Sequence, residues 1–204
     1  MMGSTRAMKD LISKALLDGI TLRQQSLNIL DDSLIKAAEV MVHALRQGGK
    51  ILACGNGGSA SDAQHFVAEL VNRFEMSRPA LAAVSMVNDA SVITSISNDF
   101  SFDTIYARQT EALGREGDVL LAISTSGQSV NVVQAVEQAA KQGMQVITLT
   151  GKDGGILAAH PGVSVNIHIQ HTSTARIQEM HITCLHILCS MIDETMFGSK
   201  SKEG

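Results

Sequence analysis

The sequence predicts an α/β fold, a doubly wound five-stranded parallel sheet flanked by helices. Three observations carry this. Five short apolar runs each stop at a cluster of Gly, Ser, Asn or Asp. Stretches of helical periodicity alternate with those runs, and two of the clusters, rich in glycine or in hydroxyls, stand directly before a helical stretch. At 204 residues and 45% hydrophobic content the chain can bury one sizeable core, so a single domain over 1–204 is expected, with an N-terminal helical extension at about 8–47 and an α/β core at about 48–198.

Residues 8–30 and 33–47 repeat apolar positions at helical spacing: Leu11, Ile12, Leu16, Leu17 and Ile20, then Leu34, Ile35, Ala38, Val40, Met41 and Leu45. Two amphipathic helices open the chain. Strands are expected at 51–54, 81–86, 119–123, 146–149 and 163–169, as continuous apolar runs suited to a sheet covered on both faces. Helices at 60–74, 91–97, 103–113 and 130–142 supply the crossovers that parallel strands need. A last long helix at 174–196 carries too many small and apolar residues for a helix with one solvated face. Together with the N-terminal helices it would leave much apolar surface on a monomer, so an oligomer is expected.

The net charge of -4, from 16 basic and 20 acidic residues without any block of like charge, argues against an electrostatic surface for nucleic acid or membrane. Any anion must be held locally. Cys54, Cys184 and Cys189 form no CxxC pair and are odd in number, which points to buried, reduced thiols rather than a disulfide framework or a thiolate zinc site. Lys9, Asp10, Lys14, Asp18 and Arg23 break up the apolar residues near the start, and no apolar run reaches the roughly eighteen residues of a membrane span. A soluble, cytoplasmic protein is the expectation.

The first strand runs into Gly55-Asn56-Gly57-Gly58-Ser59 and then a helix. Glycines let the backbone approach an anion, and a helix N-terminus offers unpaired N–H groups at the positive end of its dipole. Gly55, Gly57 and Ala60 also fit the G-x-G-x-x-A dinucleotide fingerprint, with Asp89 as a candidate ribose partner; the alternative is that the glycines simply close a tight turn. The GK[ST] ending of a Walker loop is absent. The third strand ends in Ser124-Thr125-Ser126-Gly127-Gln128-Ser129, more hydroxyls than helix capping needs and a good set of donors for phosphate. Beyond the fourth strand lies Gly151-Lys152-Asp153-Gly154-Gly155, whose lysine either reaches an anion or is solvated. All three loops follow strand ends, where doubly wound sheets bind ligands.

The helix after the first loop carries His65 and Glu69 one turn apart, either a site-facing pair or an ordinary solvated one. Gln178, His181 and His186 share the last helix. Gln178 and His186 are separated by a rise of roughly 12 Å and about 80° of rotation, so they share one ligand only by leaning together, by coming from different subunits, or by dividing the work. His181 lies about 140° from His186, so only one of the two can face a site.

The segments Gly55 to Ser59, Asn98-Asp99-Phe100, Gly117-Asp118-Val119-Leu120-Leu121, Ser124-Thr125-Ser126-Gly127, Leu149-Thr150-Gly151-Lys152-Asp153-Gly154-Gly155 and Arg176-Ile177-Gln178-Glu179 resemble the flavodoxin-like sugar isomerase (SIS) fold of bacterial phosphoheptose isomerases, over about residues 11–196. The resemblance implies a homotetramer with active sites shared between subunits. It implies conversion of sedoheptulose 7-phosphate to D-glycero-D-manno-heptose 7-phosphate, for lipopolysaccharide core or other surface glycans, with Glu69 as base and His186 as acid. It further implies one zinc per subunit on His65, Glu69, Gln178 and His186, and substrate contacts from Asn56, Gly57, Gly58, Glu69, Asn98, Asp99, Ser124, Thr125, Ser126, Ser129 and Gln178. Carboxylate and imidazole suit the proton transfers of a ketose–aldose isomerisation, and a divalent ion could polarise the carbonyl. Ala175 departs from family members that carry an acidic residue there, which removes one polar contact.

The same scaffold also resembles a non-catalytic group that binds the bacterial replication initiator and shares the Gln178-Glu179-Met180-His181 run. Those relatives lack the carboxylate and the imidazole at the positions of Glu69 and His186, both present here, so the isomerase is preferred. A nicotinamide dehydrogenase fits less well, given the serine loop and the lack of a second domain. A phosphosugar-binding module without turnover is a further alternative.

Overall fold

The computed structural model describes residues 2–198; residue 1 and residues 199–204, counted in the expected domain, lie outside it. Two helices, α1 (Met2–Ser26) and α2 (Asp31–Arg46), precede five strands: β1 (Ile51–Gly55), β2 (Ala83–Ser85), β3 (Val119–Ser124), β4 (Gln145–Gly151) and β5 (Val165–Ile169). Between them lie α3 (Gly58–Val71), α4 (Ala90–Asp99), a 3₁₀ turn (Phe102–Thr104) running into α5 (Ile105–Leu113), α6 (Val130–Lys141) and the short α7 (Gly155–Ala158); α8 (Thr174–Phe197) closes the described chain. All neighbours in the sheet are parallel, in the order β2-β1-β3-β4-β5.

That order follows from alternation within each strand. Ile51 and Ala53 of β1 point into a core shared with α2, α3 and α8, whereas Leu52 and Cys54 point into one shared with α5 and α6. With helices on both faces, every residue of β1 and β3 is buried, as their unbroken apolar sequences predict. The chain winds one way from β1 to β2 and the other way from β3 outward. The order therefore reverses between β1 and β3, so α3 leaves toward one face and α6 toward the other, and a crevice opens beyond their carboxyl ends.

Several bounds differ from expectation for local reasons. The helix expected at 8–30 stops at Ser26, followed by a turn in which Asn28 takes a positive φ of 65°. Strand β2 shrinks to three residues because it is an edge paired with β1 alone, while Leu81 N bonds Leu70 O at the end of α3. Asp89 caps α4, its Oδ1 accepting from Val92 N at 3.0 Å, which explains this residue without a ribose.

On α1, Leu11, Ile12, Leu16, Leu17 and Ile20 are all more than half exposed, an apolar row that none of the described residues covers. Cys54, Cys184 and Cys189 are free and buried, as expected, and burial pushes each thiol up to about 12.

Candidate active site

The loop after β1 turns through Gly57, at φ 57°, directly into the first turn of α3. Ser59 N bonds Asn56 O and Ala60 N bonds Gly57 O, each at 3.0 Å, so the loop is wound as a tight cap. The amides of Gly57 and Gly58 find no partner among the described residues, and both glycines are exposed. An anion at this end of α3 would complete them.

Across the crevice the serine loop is organised by its own hydroxyls. Ser124 Oγ accepts from Gly127 N at 3.1 Å and lies 3.0 Å from Ser129 Oγ; Ser126 Oγ accepts from Gln128 N at 3.2 Å. Gly127 has a φ of 64°, and a Cβ there would sit 1.9 Å from Gly154 O, so only glycine lets the loops after β3 and β4 touch. Ser126, Gln128, Lys152, Asp153 and Thr172 line an open hollow of about 850 Å³ beside this contact. Lys152 holds a positive φ of 55°, while His168 Nε2 meets its carbonyl at 3.1 Å.

Helices α3 and α8 run side by side and carry the titratable groups. His65 Nε2 lies 3.0 Å from Glu69 Oε1 and 3.4 Å from His186 Nε2. The two imidazoles meet edge to face at 5.0 Å between centroids, and Phe74 stacks on His186 at 5.4 Å. One N–H on His65 Nε2 cannot serve a carboxylate and a second imidazole at once, so the cluster has more acceptor positions than protons. Gln178 meets α3 elsewhere: its carboxamide covers Gly58, where a Cβ would fall 2.3 Å from Nε2. Gly58 and His65 are seven residues apart, about 10 Å of helix rise, so Gln178 stands at the loop end of α3 and His186 two turns further on.

The donors at His65, Glu69 and His186 are of the borderline type that zinc takes, and the separations of 3.0 and 3.4 Å resemble the roughly 3.3 Å between neighbouring ligands of a tetrahedral ion. They form two pairwise contacts through His65. Among the described residues no three His, Cys, Asp or Glu side chains converge as a metal-holding group. The chemistry of the set suits a metal; the arrangement does not yet enclose one.

His181 turns the other way. It is fully buried, its Nε2 donates to Thr150 O at 3.1 Å, and its Nδ1 has no partner among the described residues; burial lowers it to about 4. Asn98 and Asp99 stand exposed at the end of α4, Asn98 Nδ2 donating to Asp99 Oδ1 at 2.9 Å, and no hydrogen bond among the described residues ties them to the two loops. Ala175 is exposed at the start of α8. Asp62, one turn before His65, was not apparent from the sequence; burial raises its carboxyl to about 6, His65 opposing in part. A separate, mainly apolar hollow of about 590 Å³ between β2, α4 and α5 holds no imidazole.

Residues 18–151 match the SIS domain family. The chain is 54% identical over 175 residues to the phosphoheptose isomerase of Shewanella sediminis, covering 85% of this chain and 89% of that one. It is 50% identical over 197 residues to that of Shewanella baltica, covering 96% and 100%. This chain belongs to the phosphoheptose isomerase family. The solved phosphoheptose isomerase of Neisseria gonorrhoeae superposes with a TM-score of 0.86 at 45% identity, covering 92% of this chain and 99% of that one. The one from Francisella tularensis gives 0.88 at 40% identity, covering 92% and 98%. As a member of this family the chain is a sugar isomerase, and its sheet order, N-terminal helices and long α8 are those of the family fold.

Proposed function

We propose that this phosphoheptose isomerase family member converts sedoheptulose 7-phosphate to D-glycero-D-manno-heptose 7-phosphate through an enediolate. The observation that carries the reading is the meeting of Glu69, His65 and His186 on two adjacent helices, with the free amides of Gly57 and Gly58 at the other end of α3. Glu69 takes a proton from C1 of the ketose, electrons move into an enediolate across C1 and C2, and the proton returns to C2; His186 exchanges the proton between the two oxygens. The serine loop, with Ser124, Thr125, Ser126 and Ser129, takes the phosphate, while Asn56, Gly57, Gly58, Asn98, Asp99 and Gln178 take the sugar.

Zinc belongs to the same proposal. His65, Glu69 and His186 would hold it after small side-chain movements, and Gln178 joins them only by swinging away from Gly58. The ion would polarise the substrate carbonyl. We also assign the apolar row of α1 to a homotetramer whose sites lie between subunits, and the reaction to the cytoplasm, since a sugar phosphate is too charged to cross a membrane unaided. Its product would feed lipopolysaccharide core or other surface glycans. Incubation with sedoheptulose 7-phosphate and zinc, followed by NMR, should show the aldose phosphate. No turnover, together with tight binding to a replication initiator, would transfer the chain to the non-catalytic branch of the fold.

A further inference from the structure

Asn131, the second residue of α6, is 2% exposed, and a buried carboxamide must have its donors and acceptor matched. One partner matches its oxygen and one of its two N–H groups. Asn131 Oδ1 accepts from Asn56 Nδ2 at 2.8 Å, and Asn131 Nδ2 donates to Asn56 Oδ1 at 3.0 Å. Asn56 belongs to the loop after β1 and Asn131 to the helix after the serine loop, so this reciprocal pair joins two segments that are 75 residues apart in sequence. It does so where the sheet's ladder no longer can: the register of β1 and β3 ends at Gly55 and Ile123, and the chain then leaves for opposite faces. Tyr106 of α5, itself buried, braces the same place. Its hydroxyl donates to Gly55 O at 2.5 Å and lies 3.5 Å from Asn56 Oδ1.

We propose that Asn131 is a positioning residue for the sugar phosphate, a strut that sets the distance between the amides of Gly57 and Gly58 and the serine loop. The inference rests on reading those two loops as the ends of one substrate site. It also changes the part played by Asn56, whose carboxamide is engaged by Asn131 with the Tyr106 hydroxyl close by, so that Asn56 serves the substrate through its backbone.

The test compares the full-length zinc-supplied wild type with Asn131→Ala. The KM for sedoheptulose 7-phosphate should rise about tenfold, the loss of one or two hydrogen bonds, while competitive inhibition by inorganic phosphate, assigned on that reading to the serine loop, stays within about twofold. Amide hydrogen exchange over 55–60 should quicken and that over 124–129 should not. In the double variant Asn56→Ala/Asn131→Ala the KM should be no worse than in the worse single variant, since either change removes the whole pair. If Asn131→Ala does not fold, Asn131→Asp keeps the acceptor for Asn56 Nδ2, loses the donor, and should move KM the same way. Unchanged KM with unchanged exchange, additive single effects, or phosphate inhibition that weakens in step with KM would overturn the strut. A wild type inactive on the heptulose phosphate would instead refute the substrate reading, and the exchange measurement would still decide the strut.

Discussion

Arg78 Nε donates to Asp193 Oδ1 at 2.7 Å, and the arginine side chain is wholly buried. The same guanidinium donates to Leu70 O and Pro79 O through Nη1 and to Glu69 O through Nη2. The last turn of α3 is thereby fastened to α8, the two helices that carry His65, Glu69 and His186. Arg78→Met should cost about 3–5 kcal/mol, since it leaves the buried Asp193 carboxylate without its cation and takes the guanidinium donor from Glu69 O, while Leu70 O keeps its bond from Leu81 N. Urea denaturation should show Arg78→Met/Asp193→Leu losing less than the sum of the two single changes.

Glu69→Gln and His186→Gln should each lower turnover by roughly 10²–10⁴-fold with the fold retained, if carboxylate and imidazole move the protons. His181→Gln should spare kcat, because its ring faces Thr150 in the core. Steady-state assays of the three variants, with wash-in of solvent deuterium at the substrate carbon, separate these outcomes. A dead His181 variant beside an active His186 variant would reverse the assignment.

Two groups oppose each other in acid. His181 stays neutral in the folded chain down to about pH 4 but takes a proton near 6.5 when unfolded, so its contribution, roughly 3 kcal/mol at full effect, is lost as pH falls across that window. Asp62 does the reverse: folded it holds its proton up to about pH 6, unfolded only to about 3.8, so it adds stability as pH falls between those values. Denaturation midpoints measured from pH 7 to 4 should fall less for His181→Gln than for wild type, and more for Asp62→Asn.

Gly127→Ala should disrupt phosphate binding more than Ser126→Ala. The added methyl meets Gly154 O at 1.9 Å and the residue is at positive φ, so the two loops must part, whereas Ser126→Ala removes one hydroxyl that also shapes the turn at Gln128. Calorimetric titration with a sugar phosphate, alongside thermal melts, would rank them. Equal affinities would put the phosphate elsewhere.

The strands were legible because a sheet covered on both faces writes itself as unbroken apolar runs, and the loops because Gly55 to Ser59 and Ser124 to Ser129 concentrate residue types that a turn alone does not need. The His65 and Glu69 pair was visible from helical spacing, and their nearness to His186 only through resemblance, since it depends on how α3 lies along α8. Phe74, Arg78, Tyr106 and Asn131 left no signal. Each acts through tertiary contacts that local spacing does not encode, and a single aromatic, amide or arginine side chain looks like any other in the sequence. The four-residue α7 is too short to show a period, and the 3₁₀ turn before α5 reads as the start of that helix.

The three shielded thiols make the chain its own clock for opening. Cys54 sits in β1, an inner strand of the sheet between β2 and β3, whereas Cys184 and Cys189 lie on α8. Held far above neutrality by burial, none should react with an alkylating reagent until its surroundings come apart. Pulsed labelling in mild denaturant, read by peptide mass, would then tell whether α8 peels from the sheet before the sheet itself yields. Cys184 and Cys189 marked ahead of Cys54 would mean that the helix bearing His186 is released while the platform beneath the two loops still stands.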